Sequence, residues 1–217
     1  MTVEDHREDV DLGFTAERFP PGQHMCLIYN DEEERRRVIG RFLQSGLEGE
    51  EFVAYFAQDA APEEIRHQLQ KLGVECARYE ARNQLQLLST HDAYFPEGAF
   101  TPEGMLERLR HFYHDNRARG WRHVRASGEM HWALSGVPGA DRLFEYECRL
   151  NDLVRDHPLT PICQYDARRF SGAAIFAALQ VHPLMIVQGQ VVRNPYYVDV
   201  TAWLARWGGA FLSPMGQ

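Results

Sequence analysis

Two side chains near the start of the chain are suited to binding a ligand or a metal. His24 and Cys26 stand two positions apart in the apolar run 24–29, which has the composition of a buried strand. Alternate residues of a strand share one face, so the imidazole and the thiol point the same way. Adding Cys163 or His182 would complete a soft metal site, but the sequence fixes none of these distances, and we predict no metal. A buried imidazole and thiol, or an organic ligand that contacts them, are the alternatives.

Several carboxylates and aromatic residues stand at or just after the predicted ends of strands. Glu129 follows the strand 121–126, and Asp166 ends the strand 161–166. Ligands of open α/β sheets bind at the carboxyl ends of the strands, so we predict a mainly apolar cleft at that edge. The residues predicted to bind a ligand are Tyr29, Glu129, Trp132 and Tyr165 around the cleft, with His24 and Cys26 beneath it.

Glu129 is the most distinctive of these residues. A carboxylate beside Trp132 would be partly desolvated, and we therefore expect it to be paired, ligand-bound or shifted in pKa. The alternative is that Glu129 bonds to a helix N-terminus and only organises the loops.

The elements that position these residues follow from a regular alternation of apolar patterns. Short apolar runs predict strands, and amphipathic stretches with capping residues predict helices between them. Strands are expected over 24–29, 51–57, 85–88, 121–126 and 161–166, with a hairpin over 184–192. This pattern predicts an α/β fold in three layers, a mainly parallel sheet flanked by helices with an antiparallel hairpin at one edge. We predict a flexible N-terminal segment over 1–19, a domain over 20–200 and a C-terminal tail over 201–217.

Composition narrows the functional classes. The 217 residues carry a formal net charge of −8, which argues against direct nucleic-acid binding. The basic clusters at 35–37 and 117–125 are interpreted as solvated faces. No apolar run reaches the length of a membrane span, and the N-terminus lacks the pattern of a signal peptide, so we expect a cytoplasmic protein without a membrane partner.

The loop after the first strand of the domain bears on nucleotide chemistry. The order of elements resembles a RecA- or KaiC-like ATPase core, in which this strand runs into a glycine-rich phosphate loop with a lysine. Here the loop reads Tyr29-Asn30-Asp31-Glu32-Glu33-Glu34, without glycine or lysine. We therefore expect a degenerate phosphate loop, no ATPase activity and no cofactor.

Several motifs, taken in order, resemble the MEDS domain, the methanogen/methylotroph DcmR sensory domain. They span about residues 20 to 198 and comprise Gly22-Gln23-His24-Met25-Cys26-Leu27-Ile28-Tyr29, Ser127-Gly128-Glu129-Met130-His131-Trp132-Ala133-Leu134, Tyr146-Glu147 with Leu150-Asn151, Cys163-Gln164-Tyr165-Asp166, His182-Pro183 and Asn194-Pro195-Tyr196-Tyr197. The resemblance implies a RecA/KaiC-like fold with a lost phosphate loop and a sensory role for small organic compounds, such as chlorinated one-carbon molecules. It also implies that His24 and Cys26 contact the ligand.

The leading hypothesis is a cytoplasmic sensory domain that binds a small organic ligand and signals through a partner protein, such as a histidine kinase or a regulator. One alternative is an enzyme that uses Glu129 and Asp166 as acid–base residues in the same cleft; no nucleophile–base pair supports catalysis. Another is a degenerate KaiC-like scaffold for protein–protein interaction. The tail, with Trp203, Trp207 and Phe211, is predicted to form a partner or homo-oligomer surface or to pack on the domain.

Overall fold

A parallel sheet organises the chain, and the predicted α/β class is confirmed. The computed structural model describes residues 9–58 and 61–207. At residue 207 it describes the backbone alone. Seven strands lie in the order β5-β4-β6-β7-β3-β8-β9, and every neighbouring pair is parallel except the antiparallel pair β8–β9 at one edge. The strands are β3 (Met25–Tyr29), β4 (Phe52–Ala57), β5 (Leu85–Ser89), β6 (Val124–Glu129), β7 (Leu159–Asp166), β8 (Leu184–Val187) and β9 (Gln190–Arg193).

Helices cover both faces of the sheet. On one face α1 (Glu32–Glu48), α2 (Pro62–Lys71) and α3 (Cys76–Ala81) bury their apolar sides. The opposite face carries α4 (Thr90–Tyr94), α5 (Pro102–Ala118), α6 (Leu143–Asp156), α7 (Gly172–Val181) and α8 (Val200–Trp207), with short 3-10 helices at Met130–Leu134 and Ala140–Arg142. None of the helices within 9–58 and 61–207 is both long and apolar enough to cross a bilayer.

The acidic loop after β3 starts α1 through a side-chain cap. The Asp31 carboxylate accepts a hydrogen bond from the backbone N–H of Glu33 at 2.9 Å, and acidic residues fill the first turn. Both features stabilise the positive end of a helix. The N-terminus of α1 is therefore capped by a carboxylate of the chain itself.

The N-terminal segment differs from the prediction. Two short strands, β1 (Val10–Asp11) and β2 (Arg18–Phe19), pair into an antiparallel hairpin. Leu12 is fully buried in the core beneath α1, and the Asp11 carbonyl accepts hydrogen bonds from Ser45 and Arg125. Residues 10–19 thus contain secondary structure that the sequence pattern does not predict, and the buried side chains of Val10 and Leu12 pack it against the core. Residues 1–8 lie outside the described part.

The C-terminal helix packs on the domain over its described length. Trp203 is buried among the side chains on the α6 face of the sheet. The side chain of Trp207 and the whole of Phe211 lie outside the described residues, so a partner or homo-oligomer surface in the tail stays a prediction.

A close contact explains the glycine of the Ser127-Gly128-Glu129 segment. A β-carbon at position 128 would fall well inside van der Waals contact of the Tyr94 hydroxyl. We expect Gly128→Ala to lower the free energy of unfolding by about 1–3 kcal/mol, the range for an overpacked core. Urea denaturation of this variant and of Gly128→Ala combined with Tyr94→Phe checks the cause. The second change removes the clashing oxygen, so a double variant no more stable than the single one would contradict this explanation.

Candidate functional site

A cleft opens at the carboxyl edge of the sheet, where β3, β6 and β7 end beside the start of α1. Its volume is about 240 Å³. The lining side chains are mostly charged and come from strand ends, from α1 and α2, and from the loop after β7: Tyr29, Glu32, Arg35, Arg36, Glu64, Glu129, His131, Asp166, Arg168 and Arg169. The position agrees with the prediction, but the expectation of a mainly apolar cleft is wrong, because the aromatic residues near this edge are packed in the core.

Glu129 is buried at the floor of this cleft and is paired on both oxygens. One oxygen accepts hydrogen bonds from the Tyr55 hydroxyl at 2.5 Å and from Arg35 at 3.2 Å. The other accepts the backbone N–H of Gln58 at 2.9 Å. The Glu129 carboxylate is therefore held in one orientation, as the sequence led us to expect of a desolvated carboxylate.

Arg35 connects the carboxylate to the next strand. Its guanidinium also donates to Gln164 at 3.2 Å and to Glu32 at 2.9 Å. Burial alone would lower the pKa of Arg35, but the neighbouring Tyr55, Glu129 and Glu32 raise it, so the guanidinium stays charged. Burial and the Glu129 charge raise the pKa of Tyr55, which keeps the hydroxyl protonated as a donor.

Asp166 forms the other wall of the cleft. The Arg168 side chain donates two hydrogen bonds to this carboxylate, of 2.8 and 2.7 Å, and a third to Glu32 at 3.0 Å. The guanidinium groups of Arg35 and Arg168 lie 5.5 and 5.9 Å from the centre of the Tyr29 ring, within cation–π range. The cleft is thus a ring of paired charges around one tyrosine.

Asp166 is expected to stay ionised in weakly acidic solution. The hydrogen bonds from Arg168 lower the pKa of the Asp166 carboxyl below its ordinary value. A lowered folded-state pKa means that this pair contributes stability above the unfolded pKa and loses it as the pH falls through the folded one. Carboxyl-detected NMR titration should show the low midpoint in the native protein and a higher one in Arg168→Ala. Equal midpoints in the two proteins would mean that Arg168 does not hold the charge.

A second cluster of polar side chains lies on the opposite face of the sheet. His24, Glu147, Cys163 and His182, hereafter the buried quartet, are each at most 3% exposed, and one ligand atom of each lies within 4.8 Å of the others. Tyr165 donates its hydroxyl proton to Glu147 at 2.6 Å. Cys26 lies level with Cys163 on the neighbouring strand but is not a member of the quartet.

The six predicted ligand-binding residues therefore divide between separate places. Tyr29 and Glu129 line the cleft. On the other face of the sheet, His24 is a member of the buried quartet, Tyr165 is hydrogen-bonded to it and Cys26 lies beside it. The prediction that Tyr165 bounds the cleft is wrong because side chains alternate along β7, so that Asp166 faces the cleft and Tyr165 faces away. The prediction that Trp132 bounds the cleft is also wrong, because its indole is fully buried among Tyr94, Phe95 and Phe100.

Sequence reasoning missed three residues that shape these sites. Arg35 and Arg168 bind the two cleft carboxylates, and Glu147 is the centre of the buried quartet. Glu147 had a detectable signal, since it stands on the buried side of α6, in step with Leu143, Leu150 and Val154. A carboxylate on the apolar face of a helix indicates a buried partner.

The sheet order and the cleft at its carboxyl edge define an α/β domain of the RecA/KaiC-like class. The crystal structure of a KaiC-like protein from the hyperthermophilic archaeon Pyrococcus horikoshii OT3 is similar, with a TM-score of 0.60, 16% identity and coverage of 83% of this chain and 80% of that one. At this identity the likeness speaks for the fold alone.

Sequence comparison places the chain more narrowly. The model of the family described as MEDS, the MEthanogen/methylotroph, DcmR Sensory domain, matches residues 23–183, and the chain belongs to this family. It is also 28% identical over 160 residues to the transcriptional repressor DcmR of Methylorubrum extorquens, covering 73% of this chain. The chain spans 57% of that repressor's length. The resemblance read from the motifs is confirmed, and both findings support a sensory or regulatory role.

Proposed function

We propose that this chain is a non-catalytic sensory domain that binds a small organic ligand in the cleft at the carboxyl edge of the sheet and signals through a partner protein. The observation that carries this proposal is Glu129, a buried carboxylate fixed by hydrogen bonds at the floor of a cleft of about 240 Å³. Orientation by fixed polar groups is typical of ligand sites.

The lining of the cleft favours a polar ligand. Acidic and basic side chains both line the cleft together with Tyr29, and several of them are already paired with each other. A compound with both hydrogen-bond donors and acceptors would exchange these pairings for its own, which moves Arg168 and the loop after β7. Such an exchange changes the surface around the cleft, and a partner protein that binds only one of the two surfaces would respond to the ligand.

Two observations favour binding over catalysis. The pKa of Asp166 is lowered by Arg168, which opposes a role as a general acid near neutral pH. Both oxygens of Glu129 are occupied by donors from the protein itself. The open volume of the cleft favours a ligand site over a scaffold whose cleft is filled by packed side chains.

The test is a thermal-shift and calorimetry screen with small polar organic acids, alcohols, amines and chlorinated one-carbon compounds. We expect a compound that binds the wild-type chain and binds Glu129→Gln about 10–100-fold more weakly, the loss for a hydrogen bond to a charged group. Glu33→Gln is the matched control, since Glu33 is an exposed carboxylate at the start of α1 outside the cleft lining. Equal affinity in a folded Glu129→Gln variant would contradict the assigned cleft, and turnover of the compound would favour the enzyme hypothesis.

A further inference from the structure

We propose that the buried quartet, His24, Glu147, Cys163 and His182, is a binding site for a divalent transition metal of the zinc class. The four residues come from four elements: the residue before β3, the middle of α6, the middle of β7 and the end of α7. This site is independent of the proposed ligand cleft, from which the sheet separates it.

Four of the six distances among the ligand atoms are close to those within a metal's coordination shell. Oε2 of Glu147 lies 3.2 Å from Nε2 of His24, 3.3 Å from Sγ of Cys163 and 3.6 Å from Nε2 of His182, and Sγ lies 3.5 Å from Nε2 of His24. With bonds of about 2.0 Å to nitrogen and oxygen and about 2.3 Å to sulfur, the corners of a tetrahedron around zinc lie about 3.3–3.6 Å apart. Four of the six separations thus match the edges of such a tetrahedron, and all six are at most 4.8 Å, so a small inward adjustment would place the four atoms around one central ion.

The outer contacts of both imidazoles fix which nitrogen faces the centre. Nδ1 of His182 lies 2.7 Å from the carbonyl oxygen of Ala178, which only accepts, so Nδ1 donates. Nδ1 of His24 lies 3.0 Å from Oδ1 of Asn151, whose NH2 group is committed to backbone carbonyls. Nδ1 of His24 therefore also donates, and Nε2 of each ring faces the centre of the quartet. Metal-bound histidines are oriented by the same kind of outer hydrogen bond.

The inward-facing atoms are crowded around one carboxylate oxygen, Oε2 of Glu147, to which the Cys163 thiol donates at 3.3 Å. The hydroxyl of Tyr165 bonds to Oε1 of Glu147, which leaves Oε2 turned towards both imidazoles. Nε2 of His182 has no hydrogen-bond partner among the described residues, although it is fully buried. Unpaired buried polar atoms are costly. A cation at the centre would give each of the four atoms a partner.

The donor set selects the class of metal. Calcium and magnesium prefer shells of oxygen, whereas imidazole and thiolate ligands favour zinc and its neighbours. The Glu147 carboxylate and a Cys163 thiolate together balance a divalent charge, so the occupied site is neutral, as a buried site requires. Four protein ligands leave no open position, which is typical of structural sites. The ion would therefore fasten β3, α6, β7 and α7 to one another.

The test uses the full chain, expressed without a histidine tag, stripped with a chelator and titrated with Co²⁺ as the probe. We expect one Co²⁺ per chain, the strong visible absorption of tetrahedral cobalt, a thiolate-to-cobalt charge-transfer band and a higher melting temperature. Zn²⁺ should displace the cobalt and abolish the colour. This titration of the wild-type chain needs no variant, so it decides the proposal even if a substitution prevents folding.

Variants assign the ligands. Cys163→Ser should lose the charge-transfer band, while Cys26→Ser, which alters a buried thiol at the same level of the neighbouring strand, should keep it. Tyr165→Phe removes a positioning hydrogen bond and should weaken Co²⁺ binding about 10–100-fold, the effect of outer-shell partners. The absence of a Co²⁺ complex in the stripped wild-type chain would overturn the proposal, as would a charge-transfer band that survives Cys163→Ser.

Discussion

Arg125→Ala is expected to lower the free energy of unfolding by about 3–5 kcal/mol, the loss for removing one partner of a buried ion pair. Arg125 is fully buried and donates to Glu51 through two of its nitrogens, one bond measuring 2.7 Å. Its truncation leaves the Glu51 carboxylate without a counter-charge in the core. Other donors of the same guanidinium bond the Phe42 carbonyl at 2.8 Å and the Ser45 hydroxyl at 3.0 Å, so each of these groups also loses one of its hydrogen bonds.

Urea denaturation at neutral pH measures this loss, and two controls define its origin. Arg119→Ala removes an exposed arginine from the same region and should change the free energy of unfolding by no more than about 0.5 kcal/mol. Arg125→Met combined with Glu51→Leu should be more stable than Arg125→Ala alone, because no unpaired charge remains. If Arg125→Ala were as mild as Arg119→Ala, the buried pair would not contribute as the structure indicates.

The same arginines show where sequence reasoning fails. The sequence predicts solvated faces for the clusters at 35–37 and 117–125, yet Arg35 and Arg125 are buried. Each is buried because it meets a carboxylate distant in sequence: Arg35 is 94 positions from Glu129, and Arg125 is 74 positions from Glu51. Local composition registers the charges of a segment but not the remote partner that permits their burial.

The architecture was predictable because its causes are local. The runs 52–57 and 159–166 are buried along their whole length, as strands covered on both faces must be, and the helices between the strands favour parallel pairing. The N-terminal hairpin was missed for the opposite reason. Its strands have only two residues each, too short for any periodic pattern, and it is ordered by tertiary contacts of Leu12 and the Asp11 carbonyl.

The candidate site was predictable in position and only partly in content. Parallel strands place Glu129 and Asp166 at one edge, and both line the cleft there. The alternation of side chains within a strand implies that Tyr165 and Asp166 face opposite ways, so the sequence alone could have placed Tyr165 outside the cleft. The quartet was harder to predict. Three of its members, His24, Cys163 and His182, are candidates from the sequence, but their meeting with Glu147 depends on the docking of α6 against β7.

Trp132→Ala should destabilise the fold by about 3–5 kcal/mol, the loss for truncating a large aromatic residue in a core. The indole is fully buried, and its ring centre lies 5.1 Å from that of Tyr94, 5.2 Å from Phe95 and 4.8 Å from Phe100. These neighbours come from α4 and the loop after it, so they cannot all move in to fill the space that the indole leaves.

Trp132→Phe separates this structural role from the ligand-binding role predicted from the sequence. A phenyl ring retains part of the aromatic contact, so this variant should fold with a smaller loss of stability, and it should bind cleft ligands with wild-type affinity because the indole does not line the cleft. Leu134→Ala is the matched control, since Leu134 lies in the same 3-10 helix and is 37% exposed, and it should be nearly neutral. Calorimetric titration and urea denaturation of the three variants distinguish the roles. A folded Trp132→Phe protein that binds the cleft ligand more weakly would contradict a purely structural role and support a ligand-binding role for Trp132.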